Sequence, residues 1–252
     1  MIELKSLCAG YHGTEILHRI DTVFRDGSLI GIVGPMGSGK STLIKAISAI
    51  IPHSGGEILI DGRPVAVHSR TEIAKRVAYL AQNRRVPDMT VLQTVLHGRY
   101  PHLGFPRRYR DCDYRIAEDA MQRLGIGDLS DKQMSVLSGG MRQTVYLAMA
   151  LAQDTQHILL DEPTTHLDIT HQITLMRHLR AQADGGRCII SVMHDLPMAL
   201  TFSDRILVME HGRVAADGTP DEICASGVFS SVFGVSVRCD NGEYGFNLRN
   251  IT

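Results

Sequence analysis

"GPMGSGKST", residues 34–42, places three glycines and one lysine directly after the apolar run "SLIGIV", residues 28–33. A segment with so few side chains leaves consecutive backbone N–H groups free to converge on one anion. The N-terminus of a following helix adds a partial positive charge, and the apolar spacing of "STLIKAISAI", residues 41–50, predicts such a helix. The stretch therefore predicts a phosphate-binding loop between a strand and a helix.

The spacing of this stretch matches the pattern G-x-x-x-x-G-K-[ST] of nucleotide hydrolases. In that pattern the lysine, here Lys40, reaches the β- and γ-phosphates, and the hydroxyl of Ser41 binds Mg²⁺. An ordinary helix capped by a glycine-rich turn is the alternative, and the preceding β-type run argues against it. The predicted phosphate-binding residues are Gly34, Pro35, Met36, Gly37, Ser38, Gly39, Lys40, Ser41 and Thr42.

Composition narrows the class of protein. The chain has 252 residues, 44% of them hydrophobic and 21% charged, which fits one large domain or a core with a subdomain. Its net charge of −1 gives no general electrostatic reason to bind nucleic acid or an anionic membrane surface. Because no apolar run approaches the roughly 18 residues of a membrane span, we expect neither a secreted nor a membrane-spanning protein.

The cysteines and histidines show no metal-binding spacing. The five cysteines form no C-x-x-C pair, which favours reduced thiols in a cytosolic protein. The twelve histidines are scattered, and His166 with His171 lacks the i, i+4 spacing of a helical metal pair. Spacing alone therefore predicts no histidine or cysteine metal site.

The order of predicted elements indicates an α/β protein. Strand-like runs at "HILLDE", "RCIISVMH" and "RILVMEHGRVAADG" alternate with helical patterns, as in a parallel sheet flanked by helices. The first thirty residues predict short strands, residues 51–65 a hairpin, and residues 70–83 a helix followed by a strand that ends at Gln82. Asn241-Gly242 predicts a terminal hairpin.

We thus expect a P-loop NTPase with a RecA-like core, a small antiparallel β subdomain and a helical insert. Residues 1–88 and 154–252 would form the core and residues 89–153 the insert.

Two further segments carry candidate chemistry. In "HILLDEP", residues 157–163, a buried strand would deliver Asp161 to Mg²⁺ and Glu162 to an attacking water at the carboxyl edge of the sheet. Taken alone, this pair favours a capped turn before Pro163, and the other motifs decide for the metal and water roles. In "VLSGGM", residues 136–141, a helix starts at Ser138 with two glycines in its first turn, which suggests that a ligand or another backbone approaches closely.

The phosphate loop, "LSGGM", "LLDEPTTHLD" and "SVMHD" follow one another in an order that resembles the nucleotide-binding subunit of ABC transporters. The resemblance covers essentially the whole chain. It implies ATP and Mg²⁺ as ligands, with Lys40, Glu162 and His194 in catalysis. The one visible departure is Met141, which stands where the family's signature motif usually has glutamine.

The resemblance also implies roles for single residues. Tyr11 matches the aromatic that stacks on adenine, and Gln82 matches the glutamine that contacts the metal and the attacking water. Asp168 matches the aspartate of the loop that crosses the dimer interface, and His194 matches a histidine that touches the γ-phosphate. The signature residues of one subunit, here Ser138, Gly139 and Gly140, would contact the nucleotide held by the other. Packing or surface roles are the alternatives for Tyr11, Gln82 and His194.

The family closes two chains head to tail around two ATP molecules, so the resemblance implies a homodimer on membrane permease subunits at the cytoplasmic face of the membrane. "HGRYPHLG" at 97–104, "DEPTTHLDI" at 161–169 and "VFGV" at 232–235 resemble importers of iron–siderophore complexes, haem and cobalamin. We expect an iron–siderophore importer with a periplasmic or extracellular binding protein, and haem or cobalamin are the alternatives. A soluble ABC-type ATPase acting on nucleic acid or ribosomes and an inactive scaffold fit the sequence less well.

Overall fold

The computed structural model describes residues 1–82, 85–165, 167–240 and 243–248. The strands are β1 (Ile2–Tyr11), β2 (Thr14–Phe24), β3 (Ser28–Val33), β4 (His53–Ile60), β5 (Arg63–Pro64), β6 (Val77–Leu80), β7 (His157–Asp161), β8 (Cys188–Val192), β9 (Arg205–Glu210), β10 (Arg213–Gly218), β11 (Val235–Asp240) and β12 (Glu243–Leu248). The α-helices are α1 (Lys40–Ile47), α2 (Arg70–Ala74), α3 (Val91–Leu96), α4 (Asp111–Arg123), α5 (Gly139–Ala152), α6 (Ile169–Asp184), α7 (Leu196–Phe202), α8 (Pro220–Ala225) and α9 (Val228–Phe233).

A six-stranded sheet in the order β10-β9-β3-β8-β7-β6 forms the centre of the molecule. Its strands pair in parallel, except that β10 runs antiparallel to β9. Residues on both faces of β3, β7 and β8 are buried, which explains their nearly continuous apolar sequences. This sheet confirms the predicted α/β class.

Two hydrophobic clusters cover the two faces of this sheet. Alternate residues of β3 divide between them: Leu29 packs with the cluster of α3 to α7, and Ile30 packs with the cluster of α1 and the antiparallel sheet. This alternation follows from the two-residue repeat of a strand. The two clusters therefore pack on both faces of the sheet and fix the positions of the loops at the ends of its strands.

The predicted antiparallel unit is a four-stranded sheet in the order β2-β1-β4-β5. Strands β1 and β2 have 10 and 11 residues, so they are longer than the short strands expected from the sequence. Residues Asp61 and Gly62 make the predicted tight turn between β4 and β5. Strand β6 ends at Leu80, so Gln82 lies beyond the strand that was expected to contain it.

The terminal strands β11 and β12 pair antiparallel, in the register Val235 to Leu248 through Asp240 to Glu243. The predicted turn residues Asn241 and Gly242 lie outside the described residues. The proposed subdomain boundaries stay a prediction.

An ion pair between Arg99 and Asp113 holds the helical segment together from inside. Arg99 Nε donates to Asp113 Oδ1 at 3.1 Å, and Arg99 Nη1 donates to the carbonyl oxygen of Ala152 at 2.9 Å. Burial alone would raise the pKa of Asp113, but hydrogen bonds from the Arg110 N–H and from Arg99 outweigh it and lower the pKa. The buried pair therefore connects the turn at Arg99 with α4, and the second bond of Arg99 connects that turn with the end of α5.

We expect Asp113→Ala to lower the free energy of unfolding by about 3–5 kcal/mol, because it leaves the Arg99 guanidinium buried without its partner. Urea denaturation of the full chain measures this change. Asp119→Ala is the matched control: Asp119 lies on the same helix in a surface pair with Arg123 and should cost less than about 1 kcal/mol. Equal effects of the two substitutions would contradict the assignment of the buried pair.

Candidate functional site

Four chain segments meet at the carboxyl edge of the central sheet. The glycine-rich loop 34–39 follows β3, and Gln82 follows β6. Glu162 follows β7, and His194 follows β8. Ligands of open α/β sheets bind at this edge, so the topology gathers the predicted residues where a ligand is expected.

The glycine-rich loop is shaped by backbone contacts that exclude side chains. A Cβ atom on Gly34 would lie 2.2 Å from the carbonyl oxygen of Met209, so only glycine fits there. Gly39 has φ of +99° and immediately precedes α1. The hydroxyl of Ser38 is buried and has no hydrogen-bond partner within the described structure. The loop thus offers bare backbone and an unused hydroxyl, which fits a phosphate chain.

The side chain of Lys40 folds back onto this loop. Its ammonium group donates to the carbonyl oxygens of Gly34 and Pro35, both at 2.8 Å. Burial lowers the pKa of Lys40, and the carboxylates of Glu162 and Asp161 oppose this effect. The Lys40 ammonium therefore lies against the glycine-rich loop, and the carboxylates of Glu162 and Asp161 are close enough to stabilise its positive charge.

Ser41 and Asp161 form an oxygen-rich corner. The Ser41 hydroxyl donates to Asp161 Oδ1 at 2.8 Å, and the Tyr79 hydroxyl donates to Asp161 Oδ2 at 3.4 Å. A carboxylate and a hydroxyl are the ligand types that Mg²⁺ prefers. This donor set fits a magnesium ion, as expected from the sequence.

Glu162 is restrained by three side chains. Gln82 Nε2 donates to Oε2 of Glu162, Thr165 Oγ1 donates to the same oxygen at 3.1 Å, and His194 Nε2 contacts Oε1. The backbone of Glu162 has φ of +51°, a conformation that costs energy for a residue other than glycine. The three side chains therefore hold the Glu162 carboxylate in a defined place, although this backbone conformation is unfavourable for a glutamate.

These segments enclose a cavity of about 390 Å³. Its lining consists of Ile16 on β2, six residues of the phosphate-loop region (Met36, Gly37, Gly39, Lys40, Ser41 and Thr42) and three polar residues from the other loops (Gln82, Glu162 and His194). Ile16 was not predicted, because an isoleucine within a β-strand pattern is indistinguishable from an ordinary core residue. The cavity brings together most of the residues predicted for the phosphates, the metal and the water.

Other predicted residues do not line this cavity. Tyr11 is the last residue of β1, pairs with Thr14 and is half-buried. Gly139 instead lines a second cavity of about 210 Å³, which also has Gln82 and Arg142 in its wall. The roles expected for all the site residues stay predictions, and within one chain Tyr11, Ser138, Gly139, Gly140 and Asp168 do not line the first cavity.

The start of α5 packs against α6. Ser138 caps α5 by accepting the Met141 N–H at 3.2 Å, so the helix starts where the sequence predicted. A Cβ atom on Gly140 would lie 2.6 Å from the ring of His171, and Asp168 Oδ2 holds that ring through Nδ1 at 2.6 Å. The close neighbour of Gly140 is therefore a side chain of the same molecule, whereas nothing described lies within 4 Å of a Cβ on Gly139.

The model of the ABC transporter family matches residues 17–165, which include the phosphate loop, α5 and the strand carrying Asp161. The chain belongs to the ABC transporter family. Its domain is the ATP-binding domain of this family, and it is an ATPase. Among the described residues, no helix combines the length and the apolar character needed to cross a membrane.

The sequence similarity between this ABC ATPase and its relatives covers most of the chain. It is 37% identical to the ferric enterobactin transport ATP-binding protein FepC of Escherichia coli (strain K12), over 93% of this chain and 87% of that protein. It is 38% identical to the hemin import ATP-binding protein HmuV of Streptomyces coelicolor, over 88% of this chain and 79% of that protein. A nucleotide-free ATP-binding cassette from an ABC transporter has the same fold, with a TM-score of 0.84 at 21% identity over 92% of this chain and 97% of that one.

Proposed function

We propose that the cavity at the sheet edge hydrolyses magnesium-bound ATP and that Glu162 readies the attacking water. The observation that carries the proposal is the restraint of the Glu162 carboxylate by Gln82 and His194, on the wall that also presents Lys40. Phosphoryl transfer depends on positioning and on charge stabilisation rather than on covalent chemistry by the protein. A fixed carboxylate and a fixed ammonium in the lining of one cavity suit that requirement.

The other roles follow from position. The bare backbone of residues 34–39 and the ammonium of Lys40 bind the β- and γ-phosphates. Ser41 and Asp161, already joined by a hydrogen bond, hold Mg²⁺. Gln82 is the third residue that contacts the ion. When bound, the ion neutralises charge on the β- and γ-phosphates. His194 contacts the γ-phosphate, and Tyr11 packs on the adenine.

The site is completed by a second copy of this chain. Ser138, Gly139 and Gly140 do not line the cavity of their own subunit, which supports a role at a nucleotide bound by another copy. We assign them to the γ-phosphate of the partner, with Asp168 at the dimer interface. A monomer should therefore hydrolyse ATP poorly.

The ATPase energises an importer. It acts at the cytoplasmic face of the membrane on permease subunits, which receive substrate from a periplasmic or extracellular binding protein. An iron–siderophore complex is the proposed substrate. The similarity to the ferric enterobactin transport protein supports this choice, and a comparable similarity to the hemin import protein keeps haem as the alternative. Cobalamin is a further alternative from the sequence.

Uptake by the whole transporter tests this proposal. We expect proteoliposomes with permease, binding protein and this chain to take up a ferric siderophore only with ATP on the side of this chain. Unlabelled ferric siderophore should compete, whereas haem and cobalamin should not. The matched control is the same transporter with Glu162→Gln, which should bind substrate but not accumulate it. Preferential uptake of haem or cobalamin would reject the siderophore assignment, and uptake without ATP would reject energy coupling.

A further inference from the structure

Three potential metal ligands meet at the end of the central sheet opposite the ATP cavity. Asp26 lies in the turn between β2 and β3, His157 is the first residue of β7, and Cys188 is the first residue of β8. One ligand atom from each lies within 4.8 Å of the other two. These residues are distant in sequence, which is why cysteine and histidine spacing predicted no such site.

The backbone fixes this grouping. His157 and Cys188 are cross-strand partners in the parallel pair of β7 and β8, so their side chains share one face of the sheet. Ser28, two residues after Asp26, is the partner of Cys188 on β3. The Gly27 N–H donates to the carbonyl oxygen of Gly186 at 3.0 Å and ties the turn to the segment before β8.

His157 has an unused nitrogen in this group. The side chain is fully buried, and Nε2 is 3.1 Å from Oδ1 of Asp61. That bond places the ring proton on Nε2, so Nδ1 carries a lone pair. Within the described structure Nδ1 has no hydrogen-bond partner, and its nearest carboxylate oxygen, Asp26 Oδ1, is 3.6 Å away.

The arrangement of His157 resembles that of a metal-bound histidine. Such a histidine uses one ring nitrogen as the ligand and donates the N–H of the other to a carboxylate. Here Nδ1 would be the ligand and Asp61 the carboxylate. A buried, unpartnered lone pair costs free energy unless it is satisfied, and a cation beside Nδ1 would satisfy it.

The charges balance for a divalent ion. Asp26 and a Cys188 thiolate supply two negative charges, and neutral His157 supplies none. Burial raises the pKa of the Cys188 thiol to about 12. A thiol binds a metal ion as the thiolate, so binding of the ion would release the thiol proton to solvent. Thiolate, imidazole and carboxylate together select a borderline-soft ion such as Zn²⁺ rather than Mg²⁺.

We propose that Asp26, His157 and Cys188 bind one zinc-class divalent ion that ties β7 and β8 to the turn before β3. A water molecule can complete a tetrahedral site, because the Asp26 side chain is 43% exposed and leaves a path to solvent. The Met1 amino group donates to Oδ1 of both Asp26 and Asp61. A carboxylate has about four acceptor positions, so Asp26 can keep that bond while it binds the ion. This site is independent of the proposed ATPase function.

Cobalt absorption tests the proposal directly. We titrate the metal-stripped full chain with Co²⁺, without nucleotide or Mg²⁺, and expect a thiolate-to-cobalt charge-transfer band that saturates at one ion per chain. Zn²⁺ should abolish the band by displacement. At a zinc concentration about 100 times the dissociation constant, the Tm should rise by about 5 °C or more. Binding of Co²⁺ at Ser41 and Asp161 would give no such band, because that corner contains no sulfur.

Matched variants distinguish cobalt binding at this site from cobalt binding at another thiol of the chain. Cys188→Ser should lose the band, whereas Cys112→Ser, which removes an exposed thiol, should keep it. Asp26→Asn, at an exposed position that should tolerate the change, should weaken Co²⁺ binding about tenfold or more. No band in the wild type, a band that survives Cys188→Ser, or one that is lost in Cys112→Ser overturns the proposal. If Cys188→Ser does not fold, unchanged Co²⁺ affinity in Asp26→Asn overturns it.

Discussion

Replacing Glu162 with glutamine is expected to lower ATP turnover by about 100-fold or more while ATP still binds. Glutamine keeps the shape of the side chain and can still hydrogen-bond Gln82, Thr165 and His194, but it no longer carries the charge that readies water. Single-turnover hydrolysis, measured beside equilibrium ATP binding, separates the two effects. Because hydrolysis should no longer open it, the ATP-bound variant should elute as a dimer in size-exclusion chromatography.

The control for this substitution is Glu57→Gln. It makes the same chemical change on β4, in the antiparallel sheet and away from the lining of the cavity. Turnover of that variant should match the wild type. If Glu162→Gln hydrolyses ATP at the wild-type rate, another group readies the water and the assignment of Glu162 is wrong.

Replacing Lys40 with alanine should weaken ATP binding about 10- to 100-fold, which corresponds to about 1.5–3 kcal/mol for a charge-assisted hydrogen bond. The substitution removes the cation that faces the phosphates. It also frees the carbonyl oxygens of Gly34 and Pro35, which the ammonium holds at 2.8 Å. Calorimetric titration with a non-hydrolysable ATP analogue measures the change without interference from turnover.

Lys45→Ala is the matched control for Lys40→Ala. Lys45 lies in the last turn of the same helix, α1, and does not line the cavity. Nucleotide affinity should be unchanged in that variant. Wild-type affinity in Lys40→Ala, or equal losses in both variants, would contradict the assignment of the phosphate loop.

Local sequence was sufficient to predict the parts of this fold that have local causes. The phosphate loop is predictable because few side chains and a fixed glycine spacing leave little else that residues 34–42 can form. The order of strands and helices predicted the α/β class, and the carboxyl-edge rule placed Asp161 and Glu162 beside that loop. The length of β1 and β2 was wrong, because the short runs expected from propensity are extended by pairing with β4 and with each other.

Features that depend on distant segments were not predictable from local patterns. Ile16 reaches the cavity because β2 packs beside the phosphate loop, and no feature of its neighbours indicates this. The tight fit at Gly140 depends on His171, 31 positions later in the numbering, and on the ring orientation set by Asp168. Asp26, His157 and Cys188 become neighbours only through strand order.

The side chain of Gln82 is a wall of both cavities in the described structure. Gln82 therefore borders both the space beside Glu162 and the space beside Gly139 and Arg142. It lies just beyond the end of β6. A change in the position of this side chain would alter the lining of both cavities and would break its hydrogen bond to Glu162. An occupant of one cavity that displaced Gln82 would therefore also change the lining of the other.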